Sequence, residues 1–239
     1  MLFSGGQDES IRVWKLNPAT GVFECGAVLK QEHGGHGTPL TSMCASGPVL
    51  FTGDARGTIK VWDLGAGTLR QALERAHSGT AHAAIMSMLV WEGHLVTGSL
   101  DGYIKIWEPA DPASGQVISA APVFTYPEPP PLPPQQQGGR RGGRGSSARA
   151  EELPGVLALC GVADAQGRAV VMVSYNGDTA VRLWELPSFA ERGALADVHN
   201  VRSMAGFPAG RLMVSGDEHG RVKVWRWKET PALAAFPAG

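Results

Sequence analysis

The chain has 239 residues, 43% of them hydrophobic and 18% charged, with a formal net charge of −1 at pH 7. This length admits one large domain or two small ones, and the near-neutral charge gives no bulk electrostatic reason to bind nucleic acid or an anionic membrane. Three widely separated cysteines indicate reduced thiols rather than disulfides, so we expect an intracellular protein of the nucleus or the cytoplasm.

Five segments of the chain repeat one pattern, in the order 1–16, 50–64, 95–109, 173–187 and 213–227. Each segment has two short runs in which β-branched and polar residues alternate. The runs are joined by a turn rich in Gly and Asp, which predicts an antiparallel hairpin. Each second run contains a tryptophan, and most intervals between successive tryptophans are close to the roughly 40–45 residues of a four-stranded repeat unit.

The residues that precede these tryptophans also repeat at fixed offsets. A hydroxyl side chain stands ten residues before each tryptophan, and a base stands two residues before it. We interpret the bases as solvated positions or positions packed on the tryptophan. The tryptophans are Trp14, Trp62, Trp107, Trp184 and Trp225, the hydroxyls are Ser4, Thr52, Thr97, Ser174 and Ser215, and the bases are Arg12, Lys60, Lys105, Arg182 and Lys223.

The repeat resembles the WD-repeat β-propeller family, and Trp62-Asp63 is the dipeptide for which that family is named. The resemblance implies an all-β fold of five blade-like units, with units 1–3 in residues 1–124 and units 4–5 in residues 154–239. The first unit lacks an inner strand, and residues 228–239 make a poor outer strand. We therefore expect an open arc or an incomplete portion of a ring of about seven blades, with Met1 an internal methionine or a gene-model start.

The resemblance also implies a structural tetrad in each unit. Its members are a histidine before the inner strand, an aspartate in the hairpin turn, the repeated hydroxyl and the tryptophan. By position, the aspartates of the first, third and fourth units are Asp8, Asp101 and Asp178. Arg56 and His219 stand at this position in the second and fifth units. These two residues mark either a partner-contact surface or degeneration of the repeat.

The histidine of the tetrad is found in only some units. His36 has the expected position in the second unit, and either His77 or His82 can serve the third. The fourth and fifth units have no histidine in register. Since no unit has all four members without ambiguity, we expect the blades to depend more on apolar packing than on the polar network.

A closer resemblance is carried by GVLALCG, LPSFAERG and SGDEHGRVKVWRW, within residues 155–227. These stretches are similar to the WD-repeat domain of plant and green-algal zinc-finger CCCH proteins. The finger itself is absent, because Cys25, Cys44 and Cys160 are far apart in predicted strands. A zinc site needs closely spaced thiolates and imidazoles, so we expect neither a metal nor another cofactor.

Residues 125–153 form a low-complexity insert. Its first half, PEPPPLPP, favours polyproline II, and its second half, GGRRGGRG, is too polar to fold alone. Three interpretations are open: a neutral expansion of a tolerant loop, a ligand for a proline-motif protein, or a segment that contacts RNA. The possible RNA contacts are Arg140, Arg141, Arg144 and Arg149.

These patterns favour a non-catalytic scaffold that binds protein partners through the loops at its blade edges. The alternative is an RNA-associated regulatory protein, with RNA contact through the Arg/Gly insert or through a CCCH finger missing from this chain. An enzyme is the weakest hypothesis. The glycines lie at turns, and the Ser, His and Asp residues lie at tetrad or turn positions, so neither a phosphate-binding loop nor a hydrolytic triad is indicated.

Overall fold

The computed structural model describes residues 1–78, 82–129, 153–164, 166–207 and 212–227. Its regular structure is β-strand except for two short 3-10 helices, and the strands form five antiparallel sheets. The all-β blade architecture that the sequence predicts is therefore confirmed. In the described part of the chain, no helix is both long and apolar enough to cross a membrane.

The first compact unit, Met1–Val156, contains three of the sheets, which we call blades 1 to 3. Blade 1 is the three-stranded sheet β1 (Leu2–Gly5), β2 (Ile11–Leu16) and β3 (Phe23–Leu29). Blade 2 is β4 (Leu40–Ser46), β5 (Val49–Asp54), β6 (Ile59–Asp63) and β7 (Thr68–Leu73). Blade 3 is β8 (Ile85–Trp91), β9 (His94–Ser99), β10 (Ile104–Trp107) and β11 (Phe124–Tyr126).

The second compact unit, Leu157–Gly239, contains the other two sheets, the first of which begins one residue earlier. Blade 4 is β12 (Val156–Ala163), β13 (Ala169–Tyr175), β14 (Ala180–Glu185) and β15 (Ala190–Ala196). Blade 5 is β16 (Val201–Phe207), β17 (Leu212–Asp217) and β18 (Val222–Arg226). In each of blades 2 to 5 the first strand is the inner strand. The described part of blade 1 has no inner strand, as the sequence predicts.

Apolar contact between neighbouring blades forms the core of each unit. In the first unit, Phe51 and Val61 of blade 2 pack with Ile85 and Met88 of blade 3. In the second unit, the cores of blades 4 and 5 form one cluster that includes Met172 and Val201, among others. Strands whose side chains alternate between two packed faces are stable only when both faces are covered, which explains why single repeats do not fold alone.

Two glycines mark how closely successive blades approach in the first unit. A Cβ added to Gly5 would lie 2.7 Å from Met43 Cε, and one added to Gly53 would lie 2.9 Å from Ile85 Cβ. Each glycine ends or nearly ends the second strand of a blade, where the inner strand of the next blade crosses it. A side chain at Gly53 would press on Ile85 close to the backbone of that inner strand, whereas at Gly5 the nearest atom is the flexible end of the Met43 side chain.

The last connection of blade 3 departs from the repeat and is held by Gln71 of blade 2. Gln71 Nε2 donates to the Ile118 carbonyl at 2.8 Å, and Gln71 Oε1 accepts from the Val117 and Ile118 amides. β11 begins at Phe124 and extends two residues into the range predicted as the insert. Residues 130–152, which contain the four arginines of the possible RNA contact, lie outside the described residues.

Candidate functional site

Blade 2 contains a complete buried tetrad. His36 Nδ1 lies 2.9 Å from Asp54 Oδ2, and His36 Nε2 lies 2.7 Å from Thr52 Oγ1. Trp62 Nε1 donates to the same hydroxyl at 3.0 Å. Burial raises the pKa of Asp54, but hydrogen bonds from His36 and from the Thr58 amide outweigh it, so this pKa lies below its ordinary value.

Blade 3 repeats the tetrad with His77, which resolves the choice between His77 and the exposed His82. His77 Nδ1 lies 2.9 Å from Asp101 Oδ2, His77 Nε2 lies 2.8 Å from Thr97 Oγ1, and Trp107 Nε1 donates to that hydroxyl at 3.1 Å. Burial lowers the pKa of His77 although Asp101 opposes it. The imidazole is therefore neutral: Nδ1–H donates to Asp101, and Nε2 accepts from Thr97.

The prediction that Arg56 stands in place of the tetrad acid in blade 2 is wrong. The acid is Asp54, which follows the hydroxyl of Thr52 by two residues instead of four. Because β5 ends at Asp54, its carboxylate faces His36 and also accepts the amides of Arg56 and Thr58, at 2.9 Å each. The signal was present in the sequence as Thr-Gly-Asp at 52–54, and it recurs as Ser-Gly-Asp at 215–217.

In blades 1 and 4 an arginine contacts the turn acid in place of a histidine. Arg12 Nη2 donates to Asp8 Oδ2 at 2.6 Å, and Arg182 Nε donates to Asp178 Oδ2 at 3.0 Å. The Arg12 guanidinium lowers the pKa of Asp8. Both arginines are the bases predicted as solvated or tryptophan-packed positions, so in these two blades the base is a partner of the acid. Trp14 Nε1 still donates to Ser4 Oγ, at 2.8 Å.

Where the base is lysine, it holds a backbone carbonyl at the start of the blade. Lys60 Nζ donates to the Gly34 and Gly35 carbonyls at 2.8 Å, and Lys105 Nζ donates to the Ala76 carbonyl at 2.7 Å. These carbonyls lie directly before the tetrad histidines. In blades 1 to 4 the base is therefore lysine when a histidine holds the acid and arginine when none does.

Blade 5 combines parts of both arrangements. Trp225 Nε1 donates to Ser215 Oγ at 2.9 Å, and Lys223 Nζ contacts the Asp197 carbonyl as its counterparts contact Gly35 and Ala76. The next residue is Val198, which is 2% exposed, and its amide donates to the Thr179 carbonyl of the preceding turn as the His77 amide donates to Gly57. Val198 therefore has the buried place of the tetrad histidine.

The prediction that Ser174 is the tetrad hydroxyl of blade 4 is also wrong. In the other blades the hydroxyl pairs across the hairpin with the base, as Thr52 pairs with Lys60. In blade 4 it is Val173 that pairs with Arg182, and Ser174 pairs with Val181. The turn of this hairpin is one residue longer, which moves Ser174 one place out of register and onto the opposite face of the strand.

A cluster of polar side chains that includes two exposed histidines lies on the turns of blade 5. We call it the blade 5 turn surface. It consists of His199, Asn200, Arg202, Glu218 and His219. The rings of His199 and His219 lie edge to face with centroids 5.7 Å apart. Asn200 Nδ2 donates to Glu218 Oε1 at 2.7 Å, and Arg202 lies 3.6 Å from the same carboxylate.

Arg56 has the equivalent turn position in blade 2, and its side chain is also exposed. Its amide is bound by Asp54, as the His219 amide is bound by Asp217 at 3.0 Å. The acid two residues earlier thus fixes the backbone and leaves each of these side chains directed to solvent. The role of Arg56 and His219 as partner contacts stays a prediction.

An apolar cavity of about 220 Å³ lies in the second unit. Phe207, Met213 and Trp227 of blade 5 line it together with Val162 and Asp164 of blade 4. Asp164 is held by Arg168 and Arg192, so its charge is compensated at the rim. Within the described ranges, no three His, Cys, Asp or Glu side chains are grouped as a metal site would need.

Comparison with known proteins agrees with this geometry. The WD domain, G-beta repeat family matches residues 25–63, 74–108 and 195–226. Zinc finger CCCH domain-containing protein 17 of Oryza sativa subsp. japonica is 33% identical over 227 residues, which cover 95% of this chain and 43% of the rice protein. Zinc finger CCCH domain-containing protein 62 of Arabidopsis thaliana is 30% identical over 231 residues, which cover 94% of this chain and 45% of that protein.

A shorter stretch is more similar to a third relative. Zinc finger CCCH domain-containing protein 48 of Arabidopsis thaliana is 45% identical over 82 residues, or 34% of this chain and 19% of that protein. The chain thus spans less than half of the length of each of these relatives.

Proposed function

The chain belongs to the WD-repeat family, and from this premise we propose that it is a non-catalytic scaffold that binds protein partners. The contacts are made by the turns at that end of each blade where the tetrad histidines of blades 2 and 3 lie. WD-repeat domains are typically protein-interaction modules, but a fold alone does not assign a function. The proposal therefore depends on which turn side chains are available after the structural contacts of the blades are satisfied.

The observation that carries the proposal is the blade 5 turn surface. In blades 2 and 3 a histidine at this end of the blade is buried in the tetrad, whereas in blade 5 Val198 has that place. His199 and His219 are exposed, and their rings contact each other. Exposed, paired imidazoles are suited to recognition, because each can donate and accept a hydrogen bond and offers a flat apolar face.

The neighbours of this pair favour a polar protein surface as the partner. The Glu218 carboxylate contacts both Asn200 and Arg202. The Asp217 carboxylate accepts a hydrogen bond from the His219 amide and so holds the turn. The cluster is thus held by hydrogen bonds and carries both charge signs, which suits specific hydrogen bonding rather than attraction to a highly charged polymer.

The test compares proteins captured by the full chain and by a variant with both His199→Ala and His219→Ala. His94→Ala is the matched control, because His94 begins β9 at the opposite end of a blade. We expect a defined set of proteins to fall by roughly fivefold or more with the double variant and to be retained by the control. Capture of the same proteins in the same amounts by all three forms would contradict the proposal.

A second candidate function, RNA association, is favoured by the composition of residues 135–150, which are rich in Arg and Gly. Segments of this kind contact RNA through guanidinium groups that stack on bases and pair with phosphates. Ultraviolet crosslinking to RNA of the full chain and of a form without residues 135–150 tests it. Loss of crosslinking on deletion supports the role of the insert, and unchanged crosslinking excludes it.

A further inference from the structure

The apolar cavity of the second unit has no part in the proposed function, and we call it the blade 4–5 cavity. Among the residues that line it are Val162, Asp164, Phe207, Met213 and Trp227. It lies at the end of blade 5 away from the blade 5 turn surface, because Met213 stands near the start of β17 and that surface follows its end at Asp217. The cavity and the blade 5 turn surface are therefore separate sites.

The cavity lies where the contact between blades 4 and 5 ends. Gly206 and Gly167 both line it. At Gly206 the blades are close, since an added Cβ would lie 2.7 Å from Val162 Cγ1, whereas at Gly167 an added Cβ would meet nothing within 4 Å. Phe207 ends β16 beside this space but remains 52% exposed instead of filling it. The space is thus set by the spacing of two blades that are both described.

The size and lining of the cavity suit one large apolar side chain. Its volume is about 220 Å³, and an apolar cavity of about 150 Å³ is enough to bind benzene. Phe207, Met213 and Trp227 provide two aromatic rings and a thioether, groups that pack favourably on another aromatic ring. A phenylalanine side chain is therefore a suitable occupant.

One guanidinium at the rim of the cavity is available to a ligand. The Asp164 carboxylate is only 2% exposed, and it accepts Arg168 Nε at 2.9 Å and Arg192 Nη2 at 3.2 Å. The Arg168 side chain is 48% exposed, and the carboxylate nearest to its Nη1 is that of Glu185, at 4.0 Å. Glu185 is itself in closer contact with Arg192. A ligand carboxylate can thus approach Arg168 more closely than Glu185 does.

We propose that the blade 4–5 cavity binds a short acidic segment of a partner protein. A large apolar side chain of this segment enters the cavity, and a neighbouring carboxylate binds the Arg168 guanidinium. Removal of the apolar side chain from water supplies most of the affinity. The ion pair at the exposed rim contributes less affinity, but it orients the segment and favours acidic over basic ones.

The probe is the peptide acetyl-Ser-Glu-Phe-Asp-Ser-amide, in which a phenylalanine stands between two carboxylates. Its binding to the full 239-residue chain is followed by the NMR shift of the Trp227 indole N–H, which a Trp227→Phe variant assigns. The indole N–H of Trp14, in the first unit, is the control resonance. We expect a dissociation constant of about 1 mM or lower, with a shift at Trp227 and none at Trp14.

Two altered peptides separate the apolar contribution from the charged one. Replacing the phenylalanine by alanine should weaken binding by roughly tenfold or more, because no large side chain then enters the cavity. Replacing the two acids by glutamine and asparagine should weaken binding by roughly threefold, as expected for a partly exposed ion pair, and added salt should reduce this difference. An alanine peptide that binds as tightly as the probe would contradict the proposal.

Two protein variants, each with a matched control, locate the site. Arg168→Gln should weaken binding of the probe by roughly threefold. Its control is Arg221→Gln, because Arg221 Nε donates to Asp217 Oδ2 at 2.8 Å in another Asp-x-x-Gly-Arg turn, at the opposite end of blade 5. Phe207→Ala should weaken binding by roughly fivefold, and its control is Phe23→Ala, at a position 44% exposed in blade 1. Both controls should bind the probe as the unmodified chain does.

Three results would overturn the proposal. The first is absence of a Trp227 shift, and the second is equal binding of the probe by the unmodified chain, Arg168→Gln and Phe207→Ala. The third is binding only after removal of residues 228–239, which would assign the cavity to residues of this chain. Because no residue of the blade 5 turn surface is altered, failure of the peptide experiment leaves the scaffold function untouched, and the reverse also holds.

Discussion

His36 Nδ1 lies 2.9 Å from Asp54 Oδ2, and neither side chain is more than 5% exposed. In blade 1, Asp8 makes the corresponding contact with Arg12, but these side chains are 49% and 37% exposed. The same acid position is therefore buried and shared in one blade and solvated in another. This difference in environment predicts different costs for the same substitution.

Asp54→Ala should lower the free energy of unfolding by about 2–4 kcal/mol, because it leaves the buried His36 ring and the Thr58 amide without their acceptor. Asp8→Ala should leave the free energy of unfolding nearly unchanged, because solvent replaces the exposed contact with Arg12. Urea unfolding followed by tryptophan fluorescence measures both. Equal losses in the free energy of unfolding for the two variants would show that burial of the tetrad in blade 2 does not increase its contribution to stability.

Gly53→Ala should destabilise the protein by about 1–3 kcal/mol, because the added methyl would lie 2.9 Å from Ile85 Cβ and 2.8 Å from Ser42 Oγ. Gly216 has the same place in blade 5, and an added Cβ there meets nothing within 4 Å. Gly216→Ala should therefore be neutral or slightly stabilising, since alanine costs less backbone entropy than glycine. Thermal unfolding of the two variants decides the matter, and destabilisation by Gly216→Ala would show that the face of blade 5 is covered in solution.

The free energy of unfolding should fall as the pH drops below about 6.5, through His77. Burial lowers the pKa of His77 in the folded protein, so in this range the unfolded chain binds the proton more tightly and is favoured. Asp54 adds to the loss below its ordinary pKa of 3.8, because its folded pKa is also lowered. Urea midpoints between pH 8 and pH 5 check the direction. An imidazole resonance of His77 that titrates at or above 6.5 would contradict the assignment of a neutral ring.

The three cysteines should differ in their reaction with iodoacetamide at pH 8. Cys25 is exposed, whereas burial raises the pKa of Cys44 to about 12 and also raises that of Cys160. Only the thiolate reacts, so Cys25 should be alkylated first and the other two only on unfolding. Peptide mass mapping after a short pulse measures the order, with a urea-unfolded sample as the control. Rapid labelling of Cys44 in the folded chain would contradict the packing of β4 against β5.

The hairpins of the fold could be predicted from the sequence because they depend on local signals. Alternation of polar and apolar residues, the Gly and Asp turns, and the fixed distance from hydroxyl to tryptophan all lie within about 15 residues. Four of the five predicted hydroxyl positions have the expected hairpin register, and Ser174 does not. A turn longer by one residue keeps the spacing along the chain but shifts the pairing, so counting residues alone could not detect it.

The candidate site was less predictable, because its residues come together from different strands. Asp54 was missed because the motif fixed the acid at four residues after the hydroxyl, whereas an acid at either two or four residues after it reaches the tetrad histidine of its own blade. Val198 carried no signal at all, because a buried valine before a strand is ordinary until its amide contact shows that it stands where His77 does.

The sequence by itself determined the class of fold, the number of repeated hairpins and the positions of four indole–hydroxyl pairs, since each of these is set by side chains a few residues apart. Only the tertiary structure decided which acid each histidine binds and which histidines are exposed. It also decided which of the repeated bases contacts an acid and which contacts a backbone carbonyl. Those outcomes depend on contacts between blades and on burial. A carboxylate or an imidazole acquires its partner from whatever the neighbouring strand brings within hydrogen-bond distance.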